Sequence, residues 1–219
     1  MSGSTSPCGG ELSATARSMS GEVTSGSAGP DLRSAILRTA RTALVRCLAT
    51  ADNIRGPFYR EGAPFRVDLA EPDEPGERLT IAGRVIGLPD CEPLGAAVLD
   101  VWQANARGLY SNMLGLTRRA DQGRFRLRGR IPAAGDGHYR FETIIPGHYP
   151  LWFLTRPRHI HFIVSHPRYA PLTTQLFFAG DRYLARDPWV KDELVIRLTR
   201  NDSSPDRWAG QFDIVLPAG

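Results

Sequence analysis

Two histidines in the segment RPRHIHF (156–162) combine a residue type and a spacing that could support chemistry. His159 and His161 stand two residues apart in a run with the apolar character of a β-strand. Alternate residues of a strand point to the same face, with Cα atoms about 6.5–7 Å apart. Two imidazoles at this separation can bind one metal ion. The pair could also be two half-exposed histidines of an ordinary strand, so taken alone it leaves both interpretations open.

The kind of metal depends on the remaining ligands, and no carboxylate follows the histidines closely. The nearest downstream acid is Asp181, which argues against a site of two histidines and one carboxylate. Two tyrosines precede the pair, Tyr149 and Tyr110. A free phenol has a pKa of about 10, so tyrosine is a ligand only where a hard, highly charged ion favours the phenolate. Read alone, both tyrosines could equally be packed residues with a hydrogen-bonded hydroxyl.

Composition limits the other possibilities. The 219 residues, 42% hydrophobic and 23% charged, suit one globular domain. The net charge of +4 comes without a basic block interleaved with aromatics, so we expect no nucleic-acid partner. We also expect no membrane span and no secretory signal. Cys8, Cys47 and Cys91 form no C-x-x-C pair, which predicts no disulfide framework and a cytoplasmic location.

The elements that must position these residues are mostly strands. Residues 1–30 are rich in Ser and Gly and predict a disordered tail, and apolar residues four apart predict a helix over 31–48. From about residue 77, short alternating segments bounded by turn residues predict strands, with a hairpin at Asp136-Gly137. The predicted fold is therefore all-β, an antiparallel β-sandwich core in a single domain over 31–219.

Seven segments, in order, resemble the intradiol ring-cleavage dioxygenases, the family of catechol, protocatechuate and hydroxyquinol dioxygenases. In length and strand region the chain is most similar to the iron-bearing chain of protocatechuate dioxygenase. The segments are GPFYREGAP (56–64), ERLTIAGRVIG (77–87), VWQANARGLY (101–110), DGHYRFETIIPGHYP (136–150), RPRHIHF (156–162), TTQLFFAGD (173–181) and FDIVL (212–216).

The resemblance implies a β-sandwich that holds a non-haem Fe(III) between its sheets and uses O2 to cleave a catechol to a cis,cis-muconate-type diacid, in aromatic catabolism. Arg156 would sit over the catechol, Gln175 would line the site, and Tyr149 would leave the metal to accept a substrate proton. Arg158 replaces a common alanine and should face away from the histidines. The implied iron ligands are Tyr110, Tyr149, His159 and His161.

The substrate and the assembly are less constrained by the sequence. Tyr59 could contact the substrate ring, and Arg118 or Arg119 could favour an acidic substituent, although a basic run is more often a solvated surface. We expect a homo-oligomer, and a second type of chain stays open. The alternatives are another metal-dependent β-sandwich enzyme, which would need a carboxylate ligand, and a non-catalytic binding module.

Overall fold

Thirteen β-strands and two 3-10 helices form the regular structure of residues 47–112, 125–151, 154–201 and 204–219, the part of the chain that the computed structural model describes. The predicted tail and most of the predicted helix lie outside these residues, and Cys47 and Leu48 belong to no regular element. The 3-10 helices are Leu184–Arg186 and Asp192–Leu194. The strands are β1 Arg78–Gly87, β2 Glu92–Pro93, β3 Val98–Gln103, β4 Arg128–Pro132, β5 His138–Ile144, β6 Tyr149–Leu151, β7 Leu154–Arg156, β8 His159–His166, β9 Tyr169–Phe178, β10 Val195–Ile196, β11 Thr199–Asn201, β12 Ser204–Gln211 and β13 Ile214–Leu216.

These strands form two main sheets, which confirms the predicted all-β fold. The six-stranded sheet has the order β11-β12-β1-β13, and β2 and β5 also pair with β1. The five-stranded sheet has the order β10-β9-β8-β3-β4, and β6 and β7 form a separate two-stranded ribbon. The pairing is mixed rather than purely antiparallel, because β1 runs parallel to β12 and β13, and β10 runs parallel to β9.

Alternation along the strands builds the core between the two main sheets. Buried side chains of the two sheets meet in one cluster. The six-stranded sheet contributes Ile81 and Val85 of β1 and Phe141 of β5, and the five-stranded sheet contributes Leu99 and Val101 of β3. In β8 the core residues are the alternate ones, Ile160, Phe162 and Val164. The same strand therefore presents its other residues, which include the two histidines, on the outer face of the five-stranded sheet.

Two expectations about local structure are wrong. The turn at Asp136-Gly137 joins β4 to β5, but β4 pairs with β3 and β5 pairs with β1, so the turn carries the chain from one sheet to the other. The segment DELVIRLT (192–199), one of the short segments from which the sequence predicts strands, is not one strand, since it contains a 3-10 helix and the two-residue β10. A turn signal and an apolar run fix local conformation but do not determine which strand pairs with which.

The cysteine expectation is also wrong, because Cys47 and Cys91 form a disulfide across 44 positions of sequence. The bond links the start of the described chain to the turn between β1 and β2. Sequence spacing gave no signal, since folding alone brings the two Cα atoms to 5.9 Å. Among the described residues, no helix is both long and apolar enough to cross a membrane.

Candidate metal centre

The two histidines lie side by side on the outer face of the five-stranded sheet. Both are buried, and their ring centroids are 4.8 Å apart. His161 stands in a row across three strands, between Trp102 of β3 and Gln175 of β9. The Trp102 ring stacks on the His161 ring at 4.7 Å. The site is therefore outside the sandwich core, which corrects the expectation of a metal held between the two main sheets.

Tyr110 reaches the histidines from the loop that follows β3. Its hydroxyl lies 3.1 Å from Nε2 of His159. The loop can approach because Gly108 adopts a φ of +77°, and a Cβ there would overlap the carbonyl oxygen of His148. The backbone that leads into Tyr110 thus packs directly against the backbone that leads into Tyr149.

Tyr149 completes the group from the first position of β6. In the ribbon it is paired with Arg156 of β7. Its ring is edge-on to the Tyr110 ring, with centroids 5.6 Å apart. Phe58 packs against both tyrosines, stacked on Tyr110 at 4.6 Å and edge-on to Tyr149 at 5.4 Å. The structure thus brings together all four residues that the sequence suggested as ligands.

Burial sets the protonation of this group. It lowers the pKa of His159 to about 3 and holds the pKa of His161 well below its usual value. It also raises the pKa of both phenols, while the Arg156 guanidinium opposes that rise. In the metal-free protein at neutral pH, both imidazoles are therefore neutral and both phenols are protonated.

The donor set fits a metal ion. Nδ1 of His159 donates to the carbonyl oxygen of Pro157 at 2.7 Å, which leaves the Nε2 lone pair facing Tyr110. Nδ1 of His161 is buried and makes no hydrogen bond of ordinary geometry within the described part of the chain, although the Ile54 backbone interacts with the His161 imidazole. Across the same residues, no group of three or more side chains drawn from His, Cys, Asp and Glu alone could hold a metal, so the tyrosines are needed to complete a ligand set here. A ligand set of two imidazoles and two phenols suits a hard trivalent ion such as Fe(III). It suits zinc less well, and it lacks the carboxylate that an Fe(II) site with two histidines would use.

Arg156 lies beside the group and is held by a buried carboxylate. Asp187 accepts from Nε at 2.6 Å and from Nη2 at 3.3 Å. Gln175 accepts from Nη2 at 3.1 Å, and its own amide donates to the carbonyl oxygen of Ile54 at 2.8 Å. The guanidinium also lies over the Trp189 ring. Arg156 and Gln175 therefore belong to one connected network with a fixed orientation.

The remaining suggested site residues have other surroundings. The Tyr59 hydroxyl donates to Asp100 at 2.9 Å, and burial followed by that carboxylate raises its pKa to about 12. Its ring packs edge-on against Trp102, and it is the Trp102 ring that contacts His161. Arg118 and Arg119 lie outside the described residues. Arg158 is exposed and lies in the bend just before β8, and the expectation that it faces away from the histidines stays a prediction.

Sequence reasoning missed four side chains of the site. Asp187 has no motif signal and becomes visible only as the buried partner of Arg156. Phe58 and Trp102 lie inside the quoted segments GPFYREGAP and VWQANARGLY, but their ring contacts could not be foreseen. Arg128 belongs to the basic run of six arginines from Arg118 to Arg130, which the sequence suggests is a solvated surface. It is instead buried and donates to the carbonyl oxygen of Phe58 at 2.8 Å.

Known proteins resemble this chain over most of its described length. A family model described as Dioxygenase matches residues 54–218. A chlorocatechol 1,2-dioxygenase from Rhodococcus opacus is 34% identical over 73% of this chain and 68% of its own length. A protocatechuate 3,4-dioxygenase beta chain from Burkholderia cepacia is 32% identical over 85% of this chain and 87% of its own.

A solved structure agrees with these relatives. It is the dioxygenase domain of a dioxygenase–carbohydrate-binding protein fusion from the cellulolytic bacterium Streptomyces sp. SirexAA-E. That domain is 33% identical, covers 78% of this chain and 99% of its own, and superposes with a TM-score of 0.66. The chain spans only 54% and 47% of two catechol 1,2-dioxygenases from Acinetobacter lwoffii. With this fold, this site and these relatives, the chain belongs to the intradiol ring-cleavage dioxygenase family.

Proposed function

We propose that the protein uses a non-haem Fe(III) and O2 to cleave a catechol-type substrate between its two hydroxylated carbons. The product would be a cis,cis-muconate-type diacid. The observation that carries the proposal is the buried cluster of two phenols and two imidazoles, with the Tyr110 hydroxyl 3.1 Å from Nε2 of His159. Family membership supports the same reaction class.

Each side chain of the cluster has a role in this proposal. His159, His161, Tyr110 and Tyr149 would hold the metal. The chemistry that Fe(III) held by these residues would supply is electron withdrawal from the substrate ring, which favours reaction with O2. Tyr149 is slightly less buried than Tyr110 and lies at the start of a short ribbon outside the five-stranded sheet, so its side chain would be the one of the two that turns away. Its phenolate oxygen would then accept a proton from a catechol hydroxyl, as a general base.

Arg156 would act on the substrate through charge. Its guanidinium is fixed by Asp187 and Gln175, so it can stabilise negative charge on the ring without first reorganising. The Gln175 amide links this guanidinium to the Asn53–Ile54 segment, because its oxygen accepts from Arg156 while its nitrogen donates to Asn53 and Ile54. Tyr59 would support the wall of the substrate site through Trp102, while its hydroxyl is engaged by Asp100.

The particular catechol, the assembly and the location are further proposals. Relatives are named for chlorocatechol, catechol, protocatechuate and 6-chlorohydroxyquinol, so the substrate class is catechol-type. We propose that the protein forms a homo-oligomer. The alternative is an assembly with a second type of chain, and the similarity to a protein named as a beta chain supports keeping it. The cytoplasmic location stays a prediction, and the Cys47–Cys91 disulfide argues against it, since such bonds persist in oxidising compartments.

The test is to load the protein with iron and mix it with catechol, protocatechuate, hydroxyquinol and chlorinated catechols in oxygenated buffer. Oxygen uptake and muconate absorbance are followed together. The proposal expects a coloured protein, from phenolate-to-iron charge transfer, and a diacid product from at least one substrate. A colourless, fully iron-loaded protein would contradict the assignment of the ligands. A product with an aldehyde group would contradict intradiol cleavage.

A further inference from the structure

A buried carboxylate outside the cluster touches the residues that immediately precede two of the proposed ligands. Asp181 follows the end of β9, and its side chain is only 3% exposed. Its Oδ2 accepts from Nε2 of His148 at 3.0 Å and from the backbone N–H of Arg158 at 2.9 Å. Its Oδ1 accepts from the backbone N–H of Tyr183 at 2.9 Å.

We infer that Asp181 is a positioning residue, which ties the segment before Tyr149 to the segment before His159. His148 and Tyr149 are consecutive at the start of β6, and Arg158 and His159 are consecutive at the start of β8. A single carboxylate oxygen thus joins two strand starts that belong to different sheets. The inference rests on the proposed function, because it concerns residues that would hold the metal.

The connection matters because the two proposed ligands have different tasks. In the proposed reaction the Tyr149 side chain would move to accept a proton from a catechol hydroxyl, whereas His159 would keep its position. The ribbon of β6 and β7 has only three residues in each strand, so it has little pairing of its own to hold its place. The contact with Asp181, together with the packing of the His148 ring against Tyr183 at 4.8 Å, fixes the backbone beside Tyr149. Motion would then be restricted to the Tyr149 side chain, which could return to its starting position after each turnover.

Three variants separate the two arms of this connection. Asp181→Ala removes both arms. His148→Ala removes only the arm to Tyr149, and because the His148 side chain is 26% exposed, its loss leaves no large buried cavity. Arg158→Ala is the matched control, since the bond to Asp181 uses the backbone N–H and the Arg158 side chain is exposed.

Each variant is loaded with Fe(III) and compared by iron affinity, by its charge-transfer spectrum and by KM and kcat for the best catechol. Loss of a residue that orients metal ligands typically costs about 10- to 100-fold in affinity or activity. We expect a loss of this size in iron affinity for Asp181→Ala. For His148→Ala we expect an altered charge-transfer band and a raised KM, with near-normal iron content. Arg158→Ala should match the wild type.

The double variant His148→Ala/Asp181→Ala should change the charge-transfer band no more than Asp181→Ala alone, because both remove the same contact. The inference fails if folded Asp181→Ala keeps the iron affinity, the spectrum and kcat/KM of Arg158→Ala within twofold. If Asp181→Ala does not fold, His148→Ala decides, and a spectrum and KM equal to those of Arg158→Ala would overturn the inference. Failure of the proposed function is distinguishable, since it would appear as an iron-loaded wild type without a charge-transfer band.

Discussion

Replacing Asp187 tests how Arg156 is held beside the site. The Asp187 side chain is fully buried and that of Arg156 is 4% exposed, with two hydrogen bonds between them. Removal of one partner of a buried ion pair leaves an uncompensated charge and costs about 3–5 kcal/mol. Since a domain of this kind is stable by about 5–15 kcal/mol, Asp187→Ala should lose a large share of its free energy of unfolding.

The same change should damage activity more than this loss of stability explains. Without Asp187 the guanidinium keeps only Gln175 and the Trp189 ring as its described partners, so its position relative to the substrate loosens. A misplacement of about 1 Å can cost about 100-fold in rate, and we expect a fall of that order in kcat/KM. Asp187→Asn keeps an acceptor oxygen and should fall between the wild type and Asp187→Ala in both measurements.

Urea unfolding and steady-state kinetics measure the two effects, and the exposed Asp192→Ala is the control for loss of one acid. The double variant Arg156→Met/Asp187→Leu removes the whole pair. It should regain part of the stability but stay inactive, because an apolar pair of similar volume often replaces a buried ion pair without loss, whereas the backbone N–H of Trp189 loses Asp187 as its acceptor. A loss below about 1 kcal/mol in Asp187→Ala would refute this account, since it lies under the range for a broken buried pair.

Three further predictions concern other parts of the chain. Fe(III) binding to Tyr149→Phe near pH 8 should release one proton fewer than binding to the wild type, because burial keeps the Tyr149 phenol protonated before the metal binds. A pH indicator measures the release, and equal release from the two proteins would exclude Tyr149 as a phenolate ligand. Cys47→Ser should lower the free energy of unfolding by about 2–4 kcal/mol without reductant, and dithiothreitol should then destabilise only the wild type. Gly56→Ala should cost about 1–2 kcal/mol, since φ is +69°, and should reduce iron binding, since its Cβ would lie in contact with the His161 ring, 3.4 Å from Cε1. Gly62→Ala has a φ of +86° and would contact only the Phe125 ring, so it should cost stability alone.

The sequence predicted the strands, and the shared strand face of the two histidines, for a simple physical reason. Side chains alternate along a strand, so the burial of β1 and the shared face of His159 and His161 follow from the order of residues. The convergence of Tyr110 and Tyr149 on that face came from the resemblance to a family, because no local rule connects loops that are distant in sequence. The structure then supplied the contact between Tyr110 and His159 that supports it.

What the sequence could not predict depends on contacts between distant segments. Asp187 is one acid among many until the fold buries it against Arg156. The Cys47–Cys91 bond joins positions with no motif between them. The turn at Asp136-Gly137 has hairpin chemistry, yet the strands on its two sides pair elsewhere. Local preferences define the elements, but tertiary packing decides their partners.

The most direct test of the central claim is a single-turnover reaction of the iron-loaded protein with its best catechol under ¹⁸O₂, analysed by mass spectrometry. Intradiol cleavage places both atoms of O2 in the ring-opened diacid when the product is released without exchange with water. The account predicts a muconate-type diacid that carries label from O2, in the wild type and not in Tyr110→Phe/His159→Ala. A ring-opened aldehyde, or a diacid without label, would contradict it.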